Sequence, residues 1–246
     1  MSKRGLLETD VVSAPTDIAW YMFHAPDTGL ESSISQRADL LPHIPVREVA
    51  EVLRYAGLAR LGPVSDPRFS FVHRRLNEYF VARHILNDPN SVTLQSIPTD
   101  SRYRDALALY CEVGKSNHVS EIANFCWSEV VRAPNGEAGV VTQEQLRAVH
   151  CLRFLRDAFR SRPECLNFLL DLATYIDEKL RPGGDLLSAK LALEATGLLP
   201  ERMAEPILIK AFQTQDSWIS ETALHACRHM KGISSQLEER LTLYIS

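Results

Sequence analysis

A change of period at one point constrains this chain more than any other feature. Residues 69–82 read F-S-F-V-H-R-R-L-N-E-Y-F-V-A. Phe69 and Phe71 alternate with polar neighbours, which is the two-residue repeat of a half-buried strand. Beyond them Val72, Leu76, Tyr79, Phe80 and Leu86 recur at helical spacing. That spacing predicts a helix starting near His73 with this stripe turned inward. His73 stands at the junction, where a helix start offers unpaired backbone N–H groups and favours anionic partners.

The residues before this switch predict three short helices and a hairpin. Thr16 or Asp17 is placed to cap a first helix reaching Ala25, with Ile18, Trp20, Tyr21 and Met22 as its bulk; Pro26, Asp27 and Gly29 break it. A second helix is expected over Ile34 to Leu41, stopped by Pro42. Pro45 suits the first turn of a third, where its missing N–H costs nothing. On that helix Val46, Val49, Ala50, Leu53 and Ala56 face inward, and Gly57 ends it. Leu58 to Leu61 then forms a strand, Gly62 to Pro67 turns, and Arg68 to Val72 pairs back as the only sheet expected.

The stretch Phe69 to Ala82 resembles the end of the winged-helix domain of NACHT-type STAND NTPases, signalling ATPases of innate immunity and of bacterial antiviral defence. Their pattern is F-x-F-x-H-x-x-F-Q-E-Y-F-A-A. Phe69, Phe71, His73, Glu78, Tyr79, Phe80 and Ala82 match it, while Leu76, Asn77 and Val81 replace Phe, Gln and Ala. Of these only Asn77 alters hydrogen-bonding reach. The resemblance covers these residues directly and the first third of the chain by context. It implies that residues 1–88 form a winged-helix domain. It also implies that His73 reaches the β-phosphate of ADP held in an NTPase domain and stabilises the closed, inactive state. ADP or ATP with magnesium would belong to that domain, upstream or on another chain; this chain is expected to hold no cofactor and to catalyse nothing itself.

Asn87 to Asn90 and Ile97 to Asp100 punctuate the chain, and everything beyond reads as helix pairs, so residues 89–246 are expected to form a second, helical domain. Ser101 to Gly114 and Val119 to Val131 form the first expected pair. A loop carrying Pro134, Asn135, Gly136 and Gly139 follows. Thr142 then caps a long helix bearing Leu146, Val149, Leu152, Leu155 and Phe159. Pro163 opens another helix running to Leu180, ended by Pro182, Gly183 and Gly184. Ala192-Leu193-x-Ala195 recurs as Ala223-Leu224-x-Ala226 at a 31-residue offset, each copy followed by an amphipathic stretch, Glu201 to Phe212 and Ser234 to Ile245. Two-helix units of this kind point to HEAT-like repeats, although such repeats usually run ~40 residues. The last stretch ends on Leu241, Leu243, Tyr244 and Ile245 without a polar outer face, so further repeats are expected to cover it. The fold class is therefore mainly α, with a winged-helix domain, a small hairpin and HEAT-like repeats that bind a protein trigger or partner.

A net charge of −4 gives no global basic field for nucleic acid or anionic lipid. The five cysteines are odd in number and scattered through apolar helical stretches, as expected for buried free thiols in a reducing, cytoplasmic setting. No apolar run approaches the ~20 residues of a membrane span.

Other motifs fail on their surroundings. Gly114-Lys115-Ser116 imitates the end of a phosphate-binding loop, but Leu109 stands where the first glycine belongs and a helix precedes it. Leu169-Leu170-Asp171 imitates an acidic metal-holding strand, but its apolar positions continue at helical spacing through Leu172 and Ile176. His225 and His229 sit one helical turn apart, yet Ala226 occupies the place of a catalytic Glu and no third ligand is placed. Arg47 and Arg54 lie beside Glu48 and Glu51 on the third helix, a poor face for phosphates, so nucleic-acid binding is not expected. Two rivals to the NTPase reading stand: a free-standing HEAT-like interaction scaffold, and a winged-helix DNA-binding regulator.

Overall fold

The computed structural model describes residues 8–24, 34–35, 44–63, 65, 68–134, 142–214, 216–228, 230 and 232–245. It is mainly helical. Contacts divide the chain into one compact unit of residues 1–92 and 102–110 and a second of residues 93–101 and 111–246.

The first unit holds α1 (Glu8–His24), β1 (Ile34–Ser35), α2 (Val46–Tyr55), β2 (Ala59–Leu61), β3 (Arg68–Phe71) and α3 (Arg74–Asn87). α2 forms as its spacing demands. Val46, Val49, Ala50 and Leu53 are buried, whereas Ala56 has already left the helix and is exposed. Gly57 takes φ 74. Its N–H donates to the Arg54 carbonyl and that of Leu58 to Leu53, the paired bonds that close a helix end with glycine just past the cap.

The hairpin pairs Ala59 with Phe71 and Leu61 with Phe69. It is not the whole sheet. Ile34 pairs with Phe69 and Ser35 with Arg68 on the other edge of β3, giving an antiparallel order β1-β3-β2. Ile34–Ser35 is thus strand where a helix was predicted; residues 36–41 of that prediction lie outside the described residues. A strand this short takes its stability from the partner edge rather than from its own period.

α1 also differs from its prediction. It begins before Pro15 and runs through it, so Thr16 and Asp17 are interior residues, not caps. Ile18, Ala19 and Met22 are fully buried, and α1 packs on α3.

The second unit holds α5 (Ser116–Arg132), α6 (Gln143–Phe159), α7 (Leu169–Lys179), α8 (Leu186–Glu194), α9 (Glu201–Gln213), α10 (Ser217–Cys227) and α11 (Ser235–Ile245). α4 (Ser101–Val113) contributes residues 102–110 to the first unit. α5 takes α6 as its main partner, rather than the helix before it. Thr142 caps α6 in a reciprocal box: its hydroxyl accepts from Gln145 N–H at 3.2 Å, and the Gln145 side chain accepts from Thr142 N–H at 2.8 Å. Leu152, Leu155 and Phe159 are buried on α6 as predicted, while Leu146 is 42% exposed. Pro163 opens a single turn to Cys165, and the α-helix proper starts at Leu169.

Within α8 to α11, α10 packs on both α8 and α9, and α9 also packs on α11. The duplicated Ala-Leu-x-Ala lies at the end of α8, where Ala195 opens a 3-10 turn, and within α10. Asp185 and Asp216, at the same 31-residue offset, both cap these helices. Asp185 accepts from Leu187 and Ser188 N–H, and Asp216 from Trp218 and Ile219 N–H. No described helix is long and apolar enough to cross a membrane.

Candidate functional site

β3 and α3 place the fourteen-residue stretch in space. Phe69 is wholly buried and Phe71 nearly so, their rings 5.1 Å apart edge to face, with Phe80 5.3 Å from Phe71. Val72 and His73 carry the chain out of the strand. His73 is extended, at φ −139 and ψ 138, and is the N-cap of α3. Its Nδ1 accepts the Arg75 backbone N–H at 3.1 Å. A neutral imidazole that accepts at Nδ1 carries its proton on Nε2. The ring is exposed, so Nε2–H points a donor away from the cap. Capping and donation are therefore compatible on one ring.

The face of α3 that turns inward is not the one its large apolar residues mark. Glu78, Val81, Ala82 and Ile85 are buried, an i, i+3, i+4, i+7 set. Tyr79 is 47% and Leu86 43% exposed, and Leu76 and Phe80 are half-buried. The face is rotated by about one residue because Glu78 is neutralised. Arg74 Nε donates to Glu78 Oε1 at 2.7 Å and Arg75 Nη1 to Oε2 at 3.2 Å. Arg74 also pairs with Asp105. Glu78 is thus paired twice within its own helix, with Arg74 at i, i+4 and Arg75 at i, i+3. Asn77, where the pattern has Gln, leaves Oδ1 buried with no hydrogen-bond partner among the described residues.

The other motifs are absorbed by structure. Gly114 follows α4, not a strand, and its carbonyl accepts from Arg162 Nη1 at 2.8 Å. The same guanidinium reaches the Cys111 carbonyl at 2.9 Å and Ser116 Oγ at 2.8 Å. The loop end thus holds a cation against carbonyls, the reverse of a phosphate cradle. Leu169, Leu170 and Asp171 open α7. His225 lies 3.9 Å from Glu221, and His229 is outside the described residues. Among the described residues no group of His, Cys, Asp or Glu is gathered to hold a metal. Burial pushes the Cys111 and Cys126 thiols well up, and Cys227 to about 11. All three stay protonated at neutral pH and make poor nucleophiles.

No family model, curated protein or solved structure matches this chain.

Proposed function

We propose that this chain is the regulatory, sensing portion of a NACHT-type STAND signalling NTPase and performs no catalysis itself. In this reading the first unit is a winged-helix domain, and the second is a set of HEAT-like repeats that takes a trigger or partner. The observation that carries it is the His73 geometry: a ring fixed by its own helix cap, with a donor nitrogen held outward at a helix start. A helix order closed by an antiparallel sheet around β3 supports the winged-helix assignment. His73 offers a donor to a phosphate, and Gly114-Lys115-Ser116 lacks the first glycine and the preceding strand of a phosphate-binding loop, so the nucleotide and its magnesium would sit on an NTPase domain upstream or on another chain.

The test uses the protein together with its NTPase core. His73→Asp keeps a capping oxygen and removes the imidazole donor. A hydrogen bond to a charged partner is worth ~1.5–3 kcal/mol. Its loss should speed ADP release roughly tenfold to a hundredfold and raise signalling without a trigger. Unchanged release of a fluorescent ADP would make His73 a cap alone.

A free-standing interaction scaffold is the second reading. It is favoured by the repeated Asp185 and Asp216 caps and needs no nucleotide at all. Under it, His73→Asp changes neither nucleotide exchange nor partner binding.

A further inference from the structure

We propose that Cys126 on α5 and Cys151 on α6 are an oxidant-sensitive pair, which a peroxide converts into a disulfide that locks the two helices together. Both residues are fully buried, and the Cys126 thiol is hydrogen-bonded to Cys151. An ion pair holds them in that register. Glu129 stands three residues after Cys126 on α5, and Arg147 four residues before Cys151 on α6. Arg147 Nε donates to Glu129 Oε2 at 2.6 Å. Steps of three and four residues in opposite directions are each one turn along two antiparallel helices. The ion pair and the thiol pair are thus successive contacts on one seam. Sulfurs in contact across it bring their β-carbons towards the short separation a disulfide requires.

In the closed seam the pair is protected. Burial first, and then the bond to Cys151, holds Cys126 in the thiol form, and it is the thiolate that attacks a peroxide. Oxidation therefore waits for a local opening of α5 from α6. One thiolate then attacks a peroxide oxygen. The O–O bond breaks, a sulfenic acid forms, and the departing hydroxide takes up the proton that thiol gave as water. When the seam closes, the second sulfur attacks the sulfenic sulfur. The S–O bond breaks, the S–S bond forms, and the released hydroxide takes the second thiol's proton as another water. Two electrons pass from the two thiols to one peroxide. Glu129 and Arg147 set how often the seam opens. Sequence reasoning missed the pair because an odd, scattered count of five cysteines hides two that meet from different helices.

The inference goes beyond the proposed function and does not rest on it; its readouts need neither nucleotide nor partner. The reduced 246-residue chain is exposed to hydrogen peroxide, remaining thiols are alkylated, and the peptides are mapped by mass spectrometry. The expected product is a Cys126–Cys151 cross-link within one chain, lighter than the reduced chain by the two thiol hydrogens. By Trp127 fluorescence it should melt several degrees higher than the reduced chain, and dithiothreitol should reverse the shift. Glu129→Ala, which frees α5 from Arg147, should form the cross-link at least about tenfold faster. The wild-type mapping stands whether or not that variant folds. A first disulfide between other cysteines, or Cys126 and Cys151 still free once the half-buried Cys227 has been consumed, would overturn the proposal. So would a cross-linked chain that melts no higher, or an unchanged rate in folded Glu129→Ala.

Discussion

Glu78 in the first unit and Glu129 in the second are 5% and 7% exposed, and each is met by two arginines. Glu78 takes Arg74 and Arg75, both from the first turn of its own helix. Glu129 takes Arg132 at 3.0 Å from its own helix and Arg147 at 2.6 Å from α6. The partners of Glu78 are 55% and 69% exposed at the side chain, whereas Arg147 is 31% exposed. One carboxylate is thus neutralised locally by groups that can return to water, while the other ties two helices together. The same composition does different work because of where the second arginine comes from. A local pair sets which face of a helix can be buried; a non-local pair sets which helices meet.

The largest expected effect follows from that difference. Glu129→Ala leaves Arg147 mostly covered and without its partner. Breaking a buried pair on one side costs ~3–5 kcal/mol. We expect the lower end, about 3 kcal/mol, because Arg132 is exposed. For a chain of this size this lowers Tm by roughly 6–12 °C. Fluorescence of Trp127, stacked 4.9 Å from Phe168 in the same unit, reports it. A loss no larger than that of Glu78→Ala would erase the distinction.

Glu78→Ala should cost about 1 kcal/mol, since both arginines regain water. It should appear in Trp20, the first unit's own tryptophan, and leave Trp127 unmoved. Glu78→Leu sharpens the comparison. An apolar residue on the buried face of α3 should recover most of the loss, whereas Glu129→Leu should recover less because Arg147 stays unpaired.

His73→Ala comes next. Removing a side-chain cap costs ~0.5–2 kcal/mol, and His73→Asp should restore the stability. Equal melting of the two variants would mean that the Arg75 N–H bond contributes nothing.

These pairs also explain what the sequence made legible. Where the deciding interaction is local, it could be read: the burial of Val46, Val49, Ala50 and Leu53, the Gly57 turn and the Thr142 cap. Where it is not, the reading went astray. β1 depends on an edge of β3 more than thirty residues on, and Glu129 on an arginine 18 residues away. The α3 face failed for a subtler reason. Tyr79 and Leu86 outweigh Ala82 in any apolar count, yet Glu78 is the residue buried, because two neighbouring cations remove its cost. In the candidate site the position of His73 at a helix start was legible, but the tautomer fixed by Arg75 N–H was not, since it depends on the ring's rotation.

The smallest effect separates the two units by pH. His84 on α3 stacks on Trp20 with ring centres 4.2 Å apart and lies 3.8 Å from Asp17. Burial lowers its pKa below the ordinary 6.5, opposed by the carboxylates of Asp17 and Asp88. The folded unit therefore prefers the neutral ring, and the unfolded chain takes up the proton first. The stability His84 contributes is complete above 6.5 and falls as pH drops below it. In the second unit the Asp185 carboxyl is held below its ordinary 3.8, chiefly by the Ser188 hydrogen bond. Its contribution is present above 3.8 and is lost only as pH falls through the lower folded value. Acidification from about pH 7 to 5 should thus lower the Trp20 melting temperature by a few degrees and leave Trp127 nearly still. His84→Gln should flatten the Trp20 profile over that range. A profile that keeps its slope in His84→Gln would assign the acid sensitivity to another group and leave the two units alike in this respect.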